Sequence, residues 1–77
     1  MVEAYILIQT EVGKQPTVAA AVGEIEGVLT AHSVAGPYDV VVRVEAEDVD
    51  ALGKLTSSKV QAIDGVTRTL TCPVLHF

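Results

Sequence analysis

An acidic residue, a glycine and a valine stand together twice in this chain, as Glu26-Gly27-Val28 and as Asp64-Gly65-Val66, 38 residues apart. Each copy follows a helix-forming stretch and opens a strand-forming one. The first helical stretch carries Val18, Ala21, Val22 and Ile25 at the spacing of one helix face, with Pro16 suited to a first turn. The second, near residues 48–60, carries Val49, Leu52 and Leu55. Its acids Glu47, Asp48 and Asp50 come early and its bases Lys54 and Lys59 late, which complements a helix dipole; Gly53 inside it is a mild cost. Strand candidates at 3–11 and 39–44 precede the two stretches, and 28–35 and 66–75 follow them. The duplication therefore predicts two βαβ units in series.

Gly36-Pro37-Tyr38 reads as the turn of a hairpin joining the units. Two βαβ units joined in this way make an α+β, ferredoxin-like βαββαβ domain: a four-stranded antiparallel sheet in strand order 4-1-3-2, with both helices on one face. The first and third strands are then central, and they are the most uniformly apolar, at Tyr5-Ile6-Leu7-Ile8 and Val40–Val44. The last strand is an edge, where Pro73 is tolerated because its missing N–H need not pair. The first strand is apolar at both parities and Val41 adds to the second face, so the side away from the helices is expected to be apolar as well. About 600 Å² of such surface would contribute roughly 15 kcal/mol gross on burial, part of it offset by the cost of association. In a chain of 77 residues, too short for a large core of its own, this predicts a homo-oligomer.

Charge narrows the function. Ten acids against five bases give a net charge of −5, and Lys14, Arg43, Lys54, Lys59 and Arg68 are scattered, so direct nucleic-acid binding is not expected. No run approaches the length of a membrane span and no secretory signal is visible, so the expectation is a soluble cytoplasmic protein without membrane contact. Cys72 is the only cysteine, which excludes an internal disulfide, and with neither a nearby His nor a helix N-terminus it is not expected to be a nucleophile. His32 and His76 are isolated from other ligands, so no metal site is expected, and no phosphate-binding loop or other cofactor motif is present. Two features remain. Gly36-Pro37-Tyr38-Asp39 reads first as a hairpin turn, and Thr67, Thr69 and Thr71 alternate so as to set three hydroxyls on one face of an ordinary strand.

Taken together, Ala4-Tyr5-Ile6-Leu7-Ile8, Glu26-Gly27-Val28, Gly36-Pro37-Tyr38-Asp39-Val40 and Asp64-Gly65-Val66-Thr67-Arg68-Thr69-Leu70-Thr71 resemble the effector-binding RAM domain of the Lrp/AsnC (feast/famine) regulators over essentially the whole chain. The resemblance implies a dimeric αβ barrel in which two sheets pack face to face, and dimers assembled into an octamer- or decamer-like ring. It also implies small effectors, typically amino acids, bound between dimers at the hairpin loop and near the last strand. Carried onto this sequence, Gly36 and Tyr38 would bind through loop backbone, Asp39 would receive an α-ammonium, and Thr69 and Thr71 would offer hydroxyls. Asp39 as a simple cap of the turn is an equal alternative. The usual helix-turn-helix of the family has no counterpart in these residues, which implies a stand-alone form acting on transcription indirectly, for instance by co-assembly with a full-length Lrp/AsnC regulator. The leading expectation is thus an amino-acid-binding module that is not an enzyme. The alternative is a small dimeric αβ-barrel enzyme of monooxygenase or isomerase type, for which His32 or His76 would be the only acid–base candidates. A purely architectural partner of a longer regulator is a third reading.

Overall fold

A computed structural model describes residues 1–77. Strand β1 spans Val2–Thr10, helix α1 Gln15–Gly23, β2 Val28–Ser33, β3 Val40–Ala46, helix α2 Val49–Lys54 and β4 Val66–Pro73. Between α2 and β4 the helix continues over Leu55–Val60 with wider, π-helical turns, in which the Gln61 N–H donates to Thr56 O, five residues back. The sheet is antiparallel in the order β2-β3-β1-β4, the 4-1-3-2 arrangement that the duplicated pattern implies. β2 and β4 each end two residues sooner than the sequence suggests.

The helix boundaries have local causes. Pro16 sits in the first turn of α1, where its missing N–H breaks no bond. Asp48 caps α2 by accepting the Ala51 N–H at 2.8 Å, with Asp50 in the first turn and Lys54 in the last. Gly27 and Gly65 close the two helical units at φ of 97° and 98°, a region costly for any residue with a Cβ. A Cβ on Gly27 would come within 2.9 Å of Glu45 O, and one on Gly65 within 2.9 Å of Lys14 Cβ.

Alternation decides what each strand buries. Ala4, Ile6 and Ile8 of β1 lie opposite Val44, Val42 and Val40 of β3, and all six face the helices. They meet Val18 and Val22 of α1, Leu52 of α2 and Val60 of the π-helical stretch in one aliphatic core. At about 1.5–3 kcal/mol for each fully buried Val, Leu or Ile, this cluster is the main favourable term in folding.

Two irregularities change which residues share a face. β2 carries a register shift between Val28 and Thr30, so Val28 joins Ala31 and Ser33 on the core side, and Leu29 is left 45% exposed. An unbroken alternation along β2 would set Leu29 beside Ala31 and Ser33, and the shift prevents it. β4 carries the equivalent shift, where Gln9 and Thr10 of β1 pair with Arg68 and Val66. Thr67 falls in that bulge, so the three threonines do not form one row.

The face away from the helices is more mixed than expected. Leu70, Leu7 and Val41 form an apolar row across three strands, with Tyr5 beside it. Glu3, Gln9, Arg43, Glu45 and Arg68 share that side, because the alternate positions of the strands are polar beyond the central row. Arg43 donates to Glu3 at 3.0 Å, and that hydrogen bond and the carboxylate charge raise the guanidinium pKa above its ordinary value. Tyr5 and Leu70 remain 44% and 47% exposed, so an apolar strip is open to a partner, though a narrower one than the sequence implies. No helix is long and apolar enough to cross a membrane.

Candidate ligand-binding loop

The β2–β3 hairpin is closed by Val34 N–H donating to Asp39 O at 2.9 Å and anchored to the sheet by Asp39 N–H donating to Ile8 O at 2.8 Å. Gly36 at the tip has φ 149° with nothing within 4 Å of where a Cβ would stand. The backbone N–H groups of Gly36 and Tyr38 have no acceptor within the chain. They are donors available to an anionic group.

Asp39 caps nothing within its own turn. Its Oδ2 accepts the Thr10 backbone N–H at 2.8 Å and the Thr10 hydroxyl at 3.3 Å, tying the hairpin to the end of β1. Oδ1 takes part in no intrachain bond. Two glutamines complete the attachment. Gln15 Nε2 donates to Val34 O at 2.9 Å and to Asp39 O at 2.6 Å, and Gln9 Nε2 donates to Pro37 O at 2.9 Å. Gln9, Thr10 and Gln15 are site residues that reading the sequence missed. They lie 24 to 29 residues from the loop atoms they bond, or 19 in the case of Val34, and no local spacing relates them to it.

Thr69 and Thr71 stand on the helix side of β4, opposite Ile8 and Ile6. The Thr69 hydroxyl accepts from Gln61 Nε2 at 2.8 Å, and the Thr71 hydroxyl lies 3.5 Å from that of Thr56. Thr67, in the bulge, donates instead to Gln9 O at 3.1 Å. A cavity of about 400 Å³ adjoins Gln61, Arg68 and Thr69, and one of about 360 Å³ lies between Thr71 and the helical residues Leu52, Gly53 and Thr56.

Within one chain the loop and the threonines do not converge. Val40, Ile8 and Thr69 are neighbours in one cross-strand row, so β1 lies between Asp39 and Thr69, roughly 10 Å apart at two strand spacings. The largest cavity, about 710 Å³, is at the other end of the sheet, against Ile25, Gly27, Leu29, Ala46 and Leu55. It is a broad open groove edged by surface Lys and Glu and shares no residue with the hairpin. The size of that groove therefore carries less weight than the free N–H donors and the free carboxylate oxygen at the loop. His32 and His76 stand at the surface, His32 on edge strand β2 and His76 beyond β4, and no group of three or more His, Cys, Asp or Glu gathers in metal-binding proximity.

Residues 3–76 match the family model described as the Lrp/AsnC ligand binding domain. An uncharacterized HTH-type transcriptional regulator of Pyrococcus furiosus is 34% identical over 71 residues, covering 88% of this chain and 47% of the relative. The chain thus spans about half the length of that regulator. A homocitrate synthase of Sulfurisphaera tokodaii is 35% identical over 75 residues, 96% of this chain but 16% of the enzyme. Among solved structures, a protein of Thermus thermophilus superposes with a TM-score of 0.94 at 30% identity, covering 100% of this chain and 96% of that one. Escherichia coli AsnC superposes with a TM-score of 0.91 at 27% identity, covering 99% of this chain and 52% of AsnC. By its sequence over 3–76 and by its fold, the chain belongs to the Lrp/AsnC family, of which it forms the ligand-binding domain.

Proposed function

We propose that this domain is an amino-acid-responsive oligomerisation module, acting on transcription through assembly and not through a DNA contact of its own. The observation that carries the reading is the hairpin. It presents two unpaired backbone N–H groups and one free oxygen of the Asp39 carboxylate on a loop tied down at three points. A zwitterionic ligand needs an anion for its ammonium and N–H donors for its carboxylate, and Gly36, Tyr38 and Asp39 supply both. Thr69 and Thr71 cannot reach the same ligand within one chain, so they join the site from another subunit. The apolar row Leu70–Leu7–Val41 supports pairing of two sheets to make the dimer from which a ring is built. The acidic charge supports the absence of nucleic-acid contact by these residues, and with the lone thiol it fits a cytoplasmic setting.

The test is a thermal-shift screen of the twenty proteinogenic amino acids at millimolar concentration, together with molar mass in solution. At least one amino acid raises the Tm of the wild-type chain and changes its mass distribution, and Asp39→Ala abolishes both responses. A flat response to all twenty sinks the reading.

A second reading rests on the homocitrate synthase likeness, in which a stretch of this kind forms a small part of an enzyme. The domain would then deliver the same ligand response to a catalytic partner in place of a DNA-binding one. Catalysis by the domain itself lacks support. The space between the central strands and the helices is filled by aliphatic side chains, the cavities beside β4 are lined by no His, Asp or Glu, and His32 and His76 stand at the surface. Co-purification separates the two readings: a full-length Lrp/AsnC regulator bound to the domain supports the first, and a biosynthetic enzyme supports the second.

A further inference from the structure

We infer that Gln15 is a positioning residue that presets the β2–β3 hairpin for its ligand, an inference that rests on the reading of that loop as the effector site. Gln15 is the first residue of α1, remote from the loop in sequence, yet its amide nitrogen bridges both legs of the hairpin. One bond goes to Val34 O, where the chain leaves β2, and the other to Asp39 O, where it enters β3. A carboxamide is the uncharged side-chain group with two N–H donors on one atom, so a single residue can hold two carbonyls. Gln15 is half-buried, which hinders replacement of these bonds by water.

The loop needs this support. Its tip is Gly36 followed by Pro37 and Tyr38, with an open backbone and no close neighbour at Gly36. Unsupported, it would lose much conformational freedom on meeting a ligand, and that loss would be subtracted from affinity. Bolted at Val34 and Asp39, it keeps the Gly36 and Tyr38 N–H groups and the Asp39 carboxylate in place beforehand. Gln9 and Thr10 fix the tip and the carboxylate, whereas Gln15 is the one side chain that spans the mouth of the hairpin, reinforcing the backbone bond from Val34 N–H to Asp39 O.

The experiment compares the wild-type chain with Gln15→Met, which keeps the length of the side chain and removes both donors, and with Gln15→Glu, which turns an oxygen toward the two carbonyls. Amide hydrogen exchange is read at Val34 and Asp39, with Ile6 and Val42 as core controls. Both variants lose about tenfold or more in protection at Val34 and Asp39 and keep that of Ile6 and Val42. Titration with each of the twenty amino acids shows affinity about tenfold weaker in both variants for whichever binds the wild type. Unchanged protection at Val34 and Asp39 overturns the inference, and so does lost protection with undiminished affinity. If no amino acid binds the wild type, the effector reading fails by itself, and exchange alone decides whether Gln15 bolts the hairpin.

Discussion

The two halves of this domain, β1-α1-β2 and β3-α2-β4, close in the same way and are filled differently. In the first, Ile25 N–H donates to Val22 O, Val28 N–H to Ile25 O, and Gly27 O accepts from Glu45. In the second, Ile63 N–H donates to Val60 O, Val66 N–H to Ile63 O, and Gly65 O accepts from Glu11. Between the strand residue and the glycine the spacing differs, 16 residues from Glu11 to Gly27 and 20 from Glu45 to Gly65. Four residues exceed one α-helical turn by a fraction, and the wider turns at Leu55–Val60 absorb the remainder. Val60 consequently returns to the core at the place equivalent to Val22.

One turn earlier the halves part. The position of Val18, fully buried in the first half, is held by Thr56 in the second, and Ala31 and Ser33 of β2 correspond to Thr69 and Thr71 of β4. α1 packs down on β2, whereas β4 is packed closely only against β1. The first half is thus built to be filled, and the second leaves a polar bay beneath its outer strand. A duplicated framework can hold its closing turns constant while one copy keeps the core and the other opens a cavity.

The strongest attack on the shared part of this comparison is at the glycines. Gly27→Ala and Gly65→Ala each combine an unfavourable φ with a Cβ placed within 2.9 Å of a fixed atom. Each should lower stability by about 2–4 kcal/mol, read by urea denaturation. A marked inequality between the two would show that the closures are alike in geometry but not in constraint.

A reciprocal exchange tests the difference next. Val18→Thr puts a hydroxyl into a fully buried site and should cost about 1–3 kcal/mol. Thr56→Val removes a hydroxyl that bonds Leu52 O at 3.0 Å at a half-buried site and should change stability by less than about 1 kcal/mol. Equal costs in the two directions would break the distinction between a filled half and an open one. Crowding gives a smaller effect of the same kind. Ala31 faces Gly23 with room for about one methyl between them, since a Cβ on Gly23 would stand 3.9 Å from that of Ala31, so Ala31→Thr, which adds two heavy atoms at this half-buried contact, should cost no more than about 1 kcal/mol.

Much of this architecture was legible beforehand, for physical reasons. The glycine repeat, the helical stripes and the apolar central strands each report a local constraint, and together they leave one strand order. The bulges after Val28 and Val66 were not legible, because a one-residue insertion in a ladder has no compositional mark when the extra residue is an ordinary Leu29 or Thr67. The polar side of the open face was overlooked for a different reason. Tyr5 and Leu7 drew attention to the centre of β1, while the charges of Glu3, Arg43 and Arg68 join that face only through cross-strand register. At the loop, Gly36, Tyr38 and Asp39 stood out from turn chemistry and the family resemblance. Gln9, Thr10 and Gln15 did not, since a polar residue beside a strand looks the same whether or not it holds a distant carbonyl.

The smallest expected effect on stability bears most directly on function. Thr69 faces the helix side of β4, and its one side-chain partner, Gln61, is exposed. Thr69→Ala removes that hydrogen bond at a place where Gln61 can turn to water, so its cost should stay below about 0.5–1 kcal/mol. Its counterpart in the first half is already alanine, Ala31, which shows that the framework accepts a methyl at this point of the repeat. If the bay under β4 supplies part of the ligand site from a neighbouring subunit, Thr69→Ala weakens the amino-acid response while the melting temperature without ligand hardly moves. Asp39→Ala, on the other side of β1, removes the anchor to Thr10 and should lower both. Measuring the two in the same thermal-shift titration therefore separates a residue that holds the ligand from one that also holds the loop. A Thr69→Ala protein that responds to ligand as the wild type does would assign the polar bay to spacing between helix and strand alone.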